Sequence, residues 1–213
     1  EKVTVTYNAV KERPMHVVEF EELKSKYNVR RPYIFGLSSP SPHKNIANLV
    51  RGFALLKQRK TNSLKLVLAG HLPKGSTDLT QALSNVNDHV REDIIFTGYV
   101  PDFVLPSLYF YAEAFVFPSI YEGFGIPILE AFSCNTPVVC SNMAAIPEVA
   151  GDAAIYFDPH NVEEMADAIL KVLNDSSLKE KLIERGKSRL QLFSWEKTAE
   201  QTLAVYKKVL NGS

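Results

Sequence analysis

The sequence predicts an α/β fold in which a parallel sheet is covered by helices on both faces. Two observations carry it. Short β-rich runs alternate with helical patterns along the chain, the signature of successive βαβ units. Most of those runs are continuously apolar rather than alternating, as strands are when both faces of their sheet are buried.

Taken in order, VTVTY at Val3–Tyr7 reads as strand-like, and a chain that opens this way without a start methionine is expected to belong to something longer. Tyr33–Leu37 (YIFGL) is the first strand of the main domain. Ile46, Leu49, Val50, Phe53 and Leu56 then recur at helical spacing. The further strands are Leu64–Ala69, Ile94–Thr97, Ala114–Phe117, Pro137–Cys140 and Ala154–Phe157. Asn161, with Glu164 three residues on, reads as a helix cap in a capping-box-like arrangement. Ser176–Leu192 supplies another helix, and Ser194 caps a last one from Trp195 to about Leu210. The expected organisation is a lead-in over 1–30, an α/β domain over 31–192 and a C-terminal helix over 193–213.

Bulk properties narrow the function classes. The chain has 213 residues, 46% hydrophobic and 23% charged, enough to bury a core without staples. Lys+Arg and Asp+Glu both number 24, so no global field draws in nucleic acid or an anionic membrane, and any anion site must be local. Cys134 and Cys140 fit neither a zinc pattern nor a disulfide framework, which points to the reducing cytoplasm. No apolar run approaches the roughly 18 residues of a membrane span.

Ligands of open parallel sheets sit outside the carboxyl ends of the strands, so the loops there are the places to search. After the first strand, Ser38-Ser39-Pro-Ser-Pro-His43-Lys44-Asn45 precedes a helix. Helix amides complemented by the point charge of Lys44 would cradle an anion. The same residues also suit a solvated turn with one of 24 basic side chains. After AFVF comes PSIYEGFGIPILE, where Gly123 and Gly125 open backbone conformations closed to other residues and Pro127 suits a helix's first position. Amides near Gly125, Ile126, Ile128 and Leu129 would then face the strand ends as a second anion site. Glu130 is expected within the first helical turn, where carboxylates favour the dipole. Glu122 lies before the helix, where it would accept from hydroxyls but repel a phosphate. The two acids read either as contacts to a ligand carrying phosphate and sugar hydroxyls or as capping and surface charge.

EGFGIPILE has the E-x7-E form of retaining glycosyltransferases of the GT-B type, and the chain resembles the C-terminal, donor-binding domain of family 4 (glycosyl transferases group 1). PYIFGL, HKNIANLVRGF and LKLVLAG resemble that family's first strand, phosphate loop with its helix, and second strand. IIFTGYVPDFVLPSLYFYAEAFVFPSIYEGFGIPILEAFSCNTPVVCSNMAAIPEVAGDAAIYFDP follows the family pattern nearly residue by residue, and FSWEKTAEQTLAVYKKVL resembles its closing helix. The likeness runs from about Tyr33 to Leu210.

The resemblance implies a Rossmann-like domain, the C-terminal half of a GT-B fold, that helps move a hexosyl group, mannose or glucose, from a nucleotide-diphosphate sugar to a hydroxyl acceptor. It makes Glu122 a contact to donor hydroxyls and the backbone of Gly123, Phe124, Gly125 and Ile126 a cradle for sugar and diphosphate. Glu130, beside Leu129, would accept from ribose hydroxyls, and Lys44 would neutralise the diphosphate. Tyr99 and Val100 would line the base pocket. Ser38 or Ser39 would stand where many members carry an arginine or serine. Glu122 and Lys44 would carry the chemistry. Metal-dependent transferases commonly use a D-x-D, which does not occur here, so neither metal nor cofactor is expected beyond the donor substrate. The implied partners are the nucleotide sugar and an N-terminal acceptor-binding domain, with no nucleic acid and with membrane-surface association only through that other half. This chain alone is then expected to transfer sugar poorly or not at all. Other readings are an epimerase or phosphorylase on the same fold, or a non-catalytic binding module.

Overall fold

Continuous apolar runs become strands buried on both faces. The computed structural model describes residues 3–10, 16–59, 63–72 and 75–211; parts of the lead-in (1–2, 11–15) and of the closing segment (212–213) lie outside these. Its elements run α1 Phe20–Tyr27, β1 Tyr33–Ser38, α2 Ile46–Gln58, β2 Lys65–Gly70, α3 Thr77–Ser84, α4 Asp88–Glu92, β3 Ile94–Gly98 and α5 Leu105–Phe110. They continue with β4 Ala114–Phe117, α6 Ile126–Ser133, β5 Val138–Ser141, α7 Ile146–Ala150, β6 Ala154–Phe157, α8 Val162–Asn174, α9 Ser176–Leu190 and α10 Trp195–Leu210.

The six strands form one sheet in the order β3-β2-β1-β4-β5-β6, and every neighbouring pair is parallel. This is the Rossmann-like α/β architecture expected from the sequence. The chain works outward from β1 to β3, then returns to the other side of β1, where Phe35 pairs with Phe115 of β4. The reversal makes the β1/β4 boundary the switch point, where the loops diverge and leave a crevice.

A two-residue alternation survives inside the apolar runs. Tyr33, Phe35, Val67, Phe115, Phe117, Val138 and Cys140 face one core with α5, α6 and α7. Ile34, Leu66, Leu68, Val116 and Val139 face the other with α2, α3 and α8. The first core holds a chain of edge-to-face and stacked aromatic contacts: Tyr109 meets Phe35 and Phe115 edge-on at 4.9 Å, and Phe115 stacks on Phe117 at 5.7 Å. The stack leads from the sheet interior to the end of β4, beneath the crevice.

Helix ends follow local chemistry. Asn161 accepts from the Glu164 amide at 3.1 Å and Ser194 from the Lys197 amide at 3.2 Å, as the capping patterns predict. Ser76, Asn87 and Asp175 cap α3, α4 and α9 in the same way.

Two expectations require correction. Val3–Tyr7 is not a strand: β3 and β6 end the sheet, and Tyr7 is instead held by side-chain contacts to Glu148, Phe124 and Phe193. The segment before β1 also carries a helix, α1, and packs Val18, Leu23 and Val29 into the first core. At the other end α10 buries none of its residues and leaves Leu203, Tyr206, Val209 and Leu210 more than half exposed. It is tied down near its start, where Thr198 Oγ1 donates to the Tyr7 carbonyl at 2.5 Å.

Candidate functional site

The loop after β1 brings a strongly basic group, Lys44, to the switch point. Beyond Ser38 the chain turns through a short 3-10 segment, Pro42–Lys44, and enters α2 from Asn45, whose φ is 58°. Asparagine tolerates this left-handed backbone, and here its side chain serves a second purpose. Instead of capping α2, buried Asn45 donates through Nδ2 to the carbonyls of Pro118 at 3.1 Å and Pro159 at 2.8 Å. Those carbonyls lie just after β4 and β6. Three loops are thereby stapled by one amide, and the Ile120 N–H donating to the His43 carbonyl at 2.8 Å adds a second bond between the first two.

With the loops locked, Lys44 points across to the second. Its Nζ lies 2.7 Å from Glu122 Oε1, and the side chains are only 20% and 14% exposed. The ammonium also sits 5.4 Å above the Phe117 ring, so the aromatic column forms its floor. The two residues expected to carry the chemistry are thus in contact, although 78 positions separate them in sequence.

The second loop is shaped by backbone. Gly125 has φ 111° and precedes α6; a Cβ there would strain the turn and come within 3.3 Å of Ile128 Cδ1. Gly70, at the end of β2, also needs its missing side chain, because a Cβ would lie 2.2 Å from the Ser38 carbonyl. Close approach of the strand ends follows, and Ser38 Oγ donates to the His71 carbonyl at 3.1 Å. Ser39 differs: its Oγ accepts from the Ser41 amide at 3.3 Å and keeps its own proton.

Details of α6 depart from expectation. The helix begins at Ile126, so Pro127 is its second residue, and the Ile128 amide is spent on the Gly125 carbonyl at 3.0 Å. Glu130 is consequently in the second turn, not the first, and the dipole does not account for its placement. Its Oε2 instead accepts from Tyr109 at 3.0 Å. Burial, followed by the charge of Glu130, pushes that phenol well above its ordinary pKa, so Tyr109 remains a donor. Leu129 is fully buried and can meet a ligand only through its backbone.

The remaining expected residues spread along the same edge. Phe124 is half-buried against Tyr7 and Phe193, while Gly123 and Ile126 are exposed. Tyr99, after β3, is 67% exposed and its ring lies 6.3 Å from that of His71, after β2; Val100 behind it is buried. Lys44, Glu122 and the Gly123–Ile126 backbone therefore form the centre, and Tyr99 and Glu130 lie at separate flanks on the β3 and α6 sides.

Sequence reasoning missed Asn45 as the staple and Tyr109 as the anchor of Glu130. It also missed Ser119, whose fully buried Oγ is, among the described residues, the one buried side-chain polar atom without a hydrogen-bond partner. Glu148 accepts from Tyr7 at 2.5 Å and lies in the first turn of α7. Cys134 and Cys140 are buried free thiols, and burial pushes the former up to about 11. Among the described residues no helix is long and apolar enough to cross a membrane.

Comparison with known proteins identifies the family and the fold. The family described as Glycosyl transferases group 1 matches residues 18–189. O-antigen chain mannosyltransferase B of Escherichia coli is 42% identical over 176 residues, 82% of this chain and 45% of that protein. MMP alpha-(1->4)-mannosyltransferase of Mycolicibacterium hassiacum is 32% identical over 186 residues, 85% of this chain and 44% of its own. Among solved structures, S. aureus TarM in complex with Fondaparinux, alpha-GlcNAc-glycerol and UDP superposes with a TM-score of 0.76 at 18% identity, over 97% of this chain and 40% of that one. Sucrose-phosphate synthase from Thermosynechococcus elongatus gives 0.72 at 23%, over 97% and 50%. The chain spans about half the length of these proteins or less. Sequence match and sheet topology together make it a member of the glycosyl transferases group 1 family, with the fold of a GT-B C-terminal domain.

Proposed function

We propose that this chain is the donor-binding half of a retaining hexosyltransferase that takes mannose or glucose from a nucleoside-diphosphate sugar and passes it to a hydroxyl acceptor. The observation that carries the reading is the 2.7 Å Lys44–Glu122 contact at the β1/β4 switch point. A cation and a carboxylate side by side, next to a glycine-shaped helix start, suit a ligand that presents phosphates and hydroxyls together. The mannosyltransferases among the relatives favour mannose.

In this reading the ammonium of Lys44 and the amides around Ile126 stabilise charge growing on the departing diphosphate. Ser39, with its proton uncommitted, supplies a hydrogen bond to a phosphate oxygen in preference to Ser38, whose proton goes to His71. Glu122 accepts from sugar hydroxyls and Glu130 from the ribose, while Tyr99 and the Val100 backbone border the base. The bond from the anomeric carbon to the phosphate oxygen breaks with its electron pair leaving on the diphosphate. The acceptor oxygen bonds to that carbon on the same face, and its proton passes to the departing phosphate.

Lys44 and the helix amides take the place of a bridging metal, so chelators are expected to leave donor binding intact. The acceptor site belongs to an N-terminal domain, to which the exposed apolar face of α10 offers a docking surface. Free thiols at Cys134 and Cys140 suit a cytoplasmic setting.

Calorimetric titration of the chain with GDP-mannose, UDP-glucose and ADP-glucose tests the reading. One of the three should bind at sub-millimolar concentration with EDTA present; a folded chain that binds none at millimolar concentration overturns it.

A further inference from the structure

Without a ligand, Lys44 and Glu122 satisfy each other. Both side chains are at least four-fifths buried, and no other hydrogen bond or ion pair from the described residues reaches either terminal group. Losing one member of such a pair leaves the other as an uncompensated buried charge, which costs far more than the pair itself contributes. Any ligand that recruits Lys44 must therefore provide something for Glu122.

Two ligands that share a diphosphate differ in this respect. A bare nucleoside diphosphate offers oxygens to Lys44 and no donor to Glu122. It strips the carboxylate of its partner and brings like charge towards it. A nucleotide sugar offers the same oxygens plus hydroxyls, and Glu122 exchanges an ion pair for charge-assisted hydrogen bonds. Lys44 is fitted to stay in place during such an exchange. Its ammonium rests on the Phe117 ring at 5.4 Å, and its backbone neighbours are fixed by the His43 carbonyl to Ile120 and by Asn45 to Pro118 and Pro159.

We propose that the Lys44–Glu122 pair makes the site discriminate a sugar-bearing nucleotide from the free nucleoside diphosphate: it is exchanged when the former binds and re-forms to expel the latter. Glu122 is then a specificity-determining residue that weakens binding of the spent nucleotide, in addition to holding the sugar. This rests on the donor-site reading above.

The test compares paired probes, GDP with GDP-mannose and UDP with UDP-glucose, by calorimetry on wild type, Glu122→Gln and Lys44→Met, with thermal melts to confirm folding. Glu122→Gln frees Lys44 without changing side-chain size, and it should bind the free diphosphate about tenfold tighter than wild type. It should also bind the nucleotide sugar no better than wild type, so the preference between the two narrows. Lys44→Met should weaken both. If Glu122→Gln does not fold, Glu122→Asp, which withdraws the carboxylate by one methylene, should shift the ratio in the same direction. Unchanged or weaker diphosphate binding in the folded Glu122 variant overturns the proposal while leaving the donor site standing. A wild type that binds neither member of either pair overturns both.

Discussion

The loops after β1 and β4 meet at one edge of the sheet, yet they are held by different means. The first is fixed by side chains, with Asn45 reaching two carbonyls on other loops and Lys44 reaching Glu122. The second is fixed by backbone, through the φ of 111° at Gly125 and its carbonyl bond to Ile128. A side-chain staple fails when its chemistry changes, whereas a backbone turn fails only when a Cβ is forced into it. The contrast predicts where each loop tolerates substitution.

The largest effect should come from Asn45→Ala, which orphans the buried Pro118 carbonyl, leaves the Pro159 carbonyl to Asn48 alone and keeps a left-handed backbone: about 3 kcal/mol of stability lost in urea unfolding. Asn45→Gly relieves the backbone alone and should still lose about 2 kcal/mol. A loss of less than half of that would mean the staple matters little. Lys44→Met should cost nucleotide-sugar affinity about 2 kcal/mol by calorimetry, through one lost charge-assisted hydrogen bond. On the second loop, Gly125→Ala should cost about 1–2 kcal/mol from the strained φ. Smallest is Ser119→Ala. It removes the unpaired buried hydroxyl and should leave stability unchanged or raise it by up to about 1 kcal/mol; a loss above that would reveal a partner for Ser119 Oγ.

The same division explains what could be read from the sequence. Strands buried on both faces announce themselves as apolar runs, and the caps Asn161 and Ser194 lie three residues from the amides they accept from. Gly125 was legible as well, because a turn's need for glycine is local. Asn45, Tyr109 and Tyr7 were not legible, because their partners are 73, 21 and 141 residues away. Among the described residues five helices of eight residues or fewer, α1, α3, α4, α5 and α7, went unmarked, being too short for apolar periodicity to register. VTVTY misled for the opposite reason: its β-branched alternation is real, but no strand edge receives it. Glu130 is legible as a candidate but not its place just beyond the first turn, since α6 starts at Ile126, one residue before the expected Pro127.

The Asn45 staple also has a kinetic side. Its bond to Pro159 spans 114 residues, so the staple is complete only once β6 has added to the sheet. Contacts of such long sequence separation form late, because chain closure must precede them. An intermediate with β1 to β4 in place would hold Lys44 and Glu122 on loops that lack the tie to Pro159. A ligand present during refolding would then leave the early phases untouched and slow only the unfolding of the finished domain.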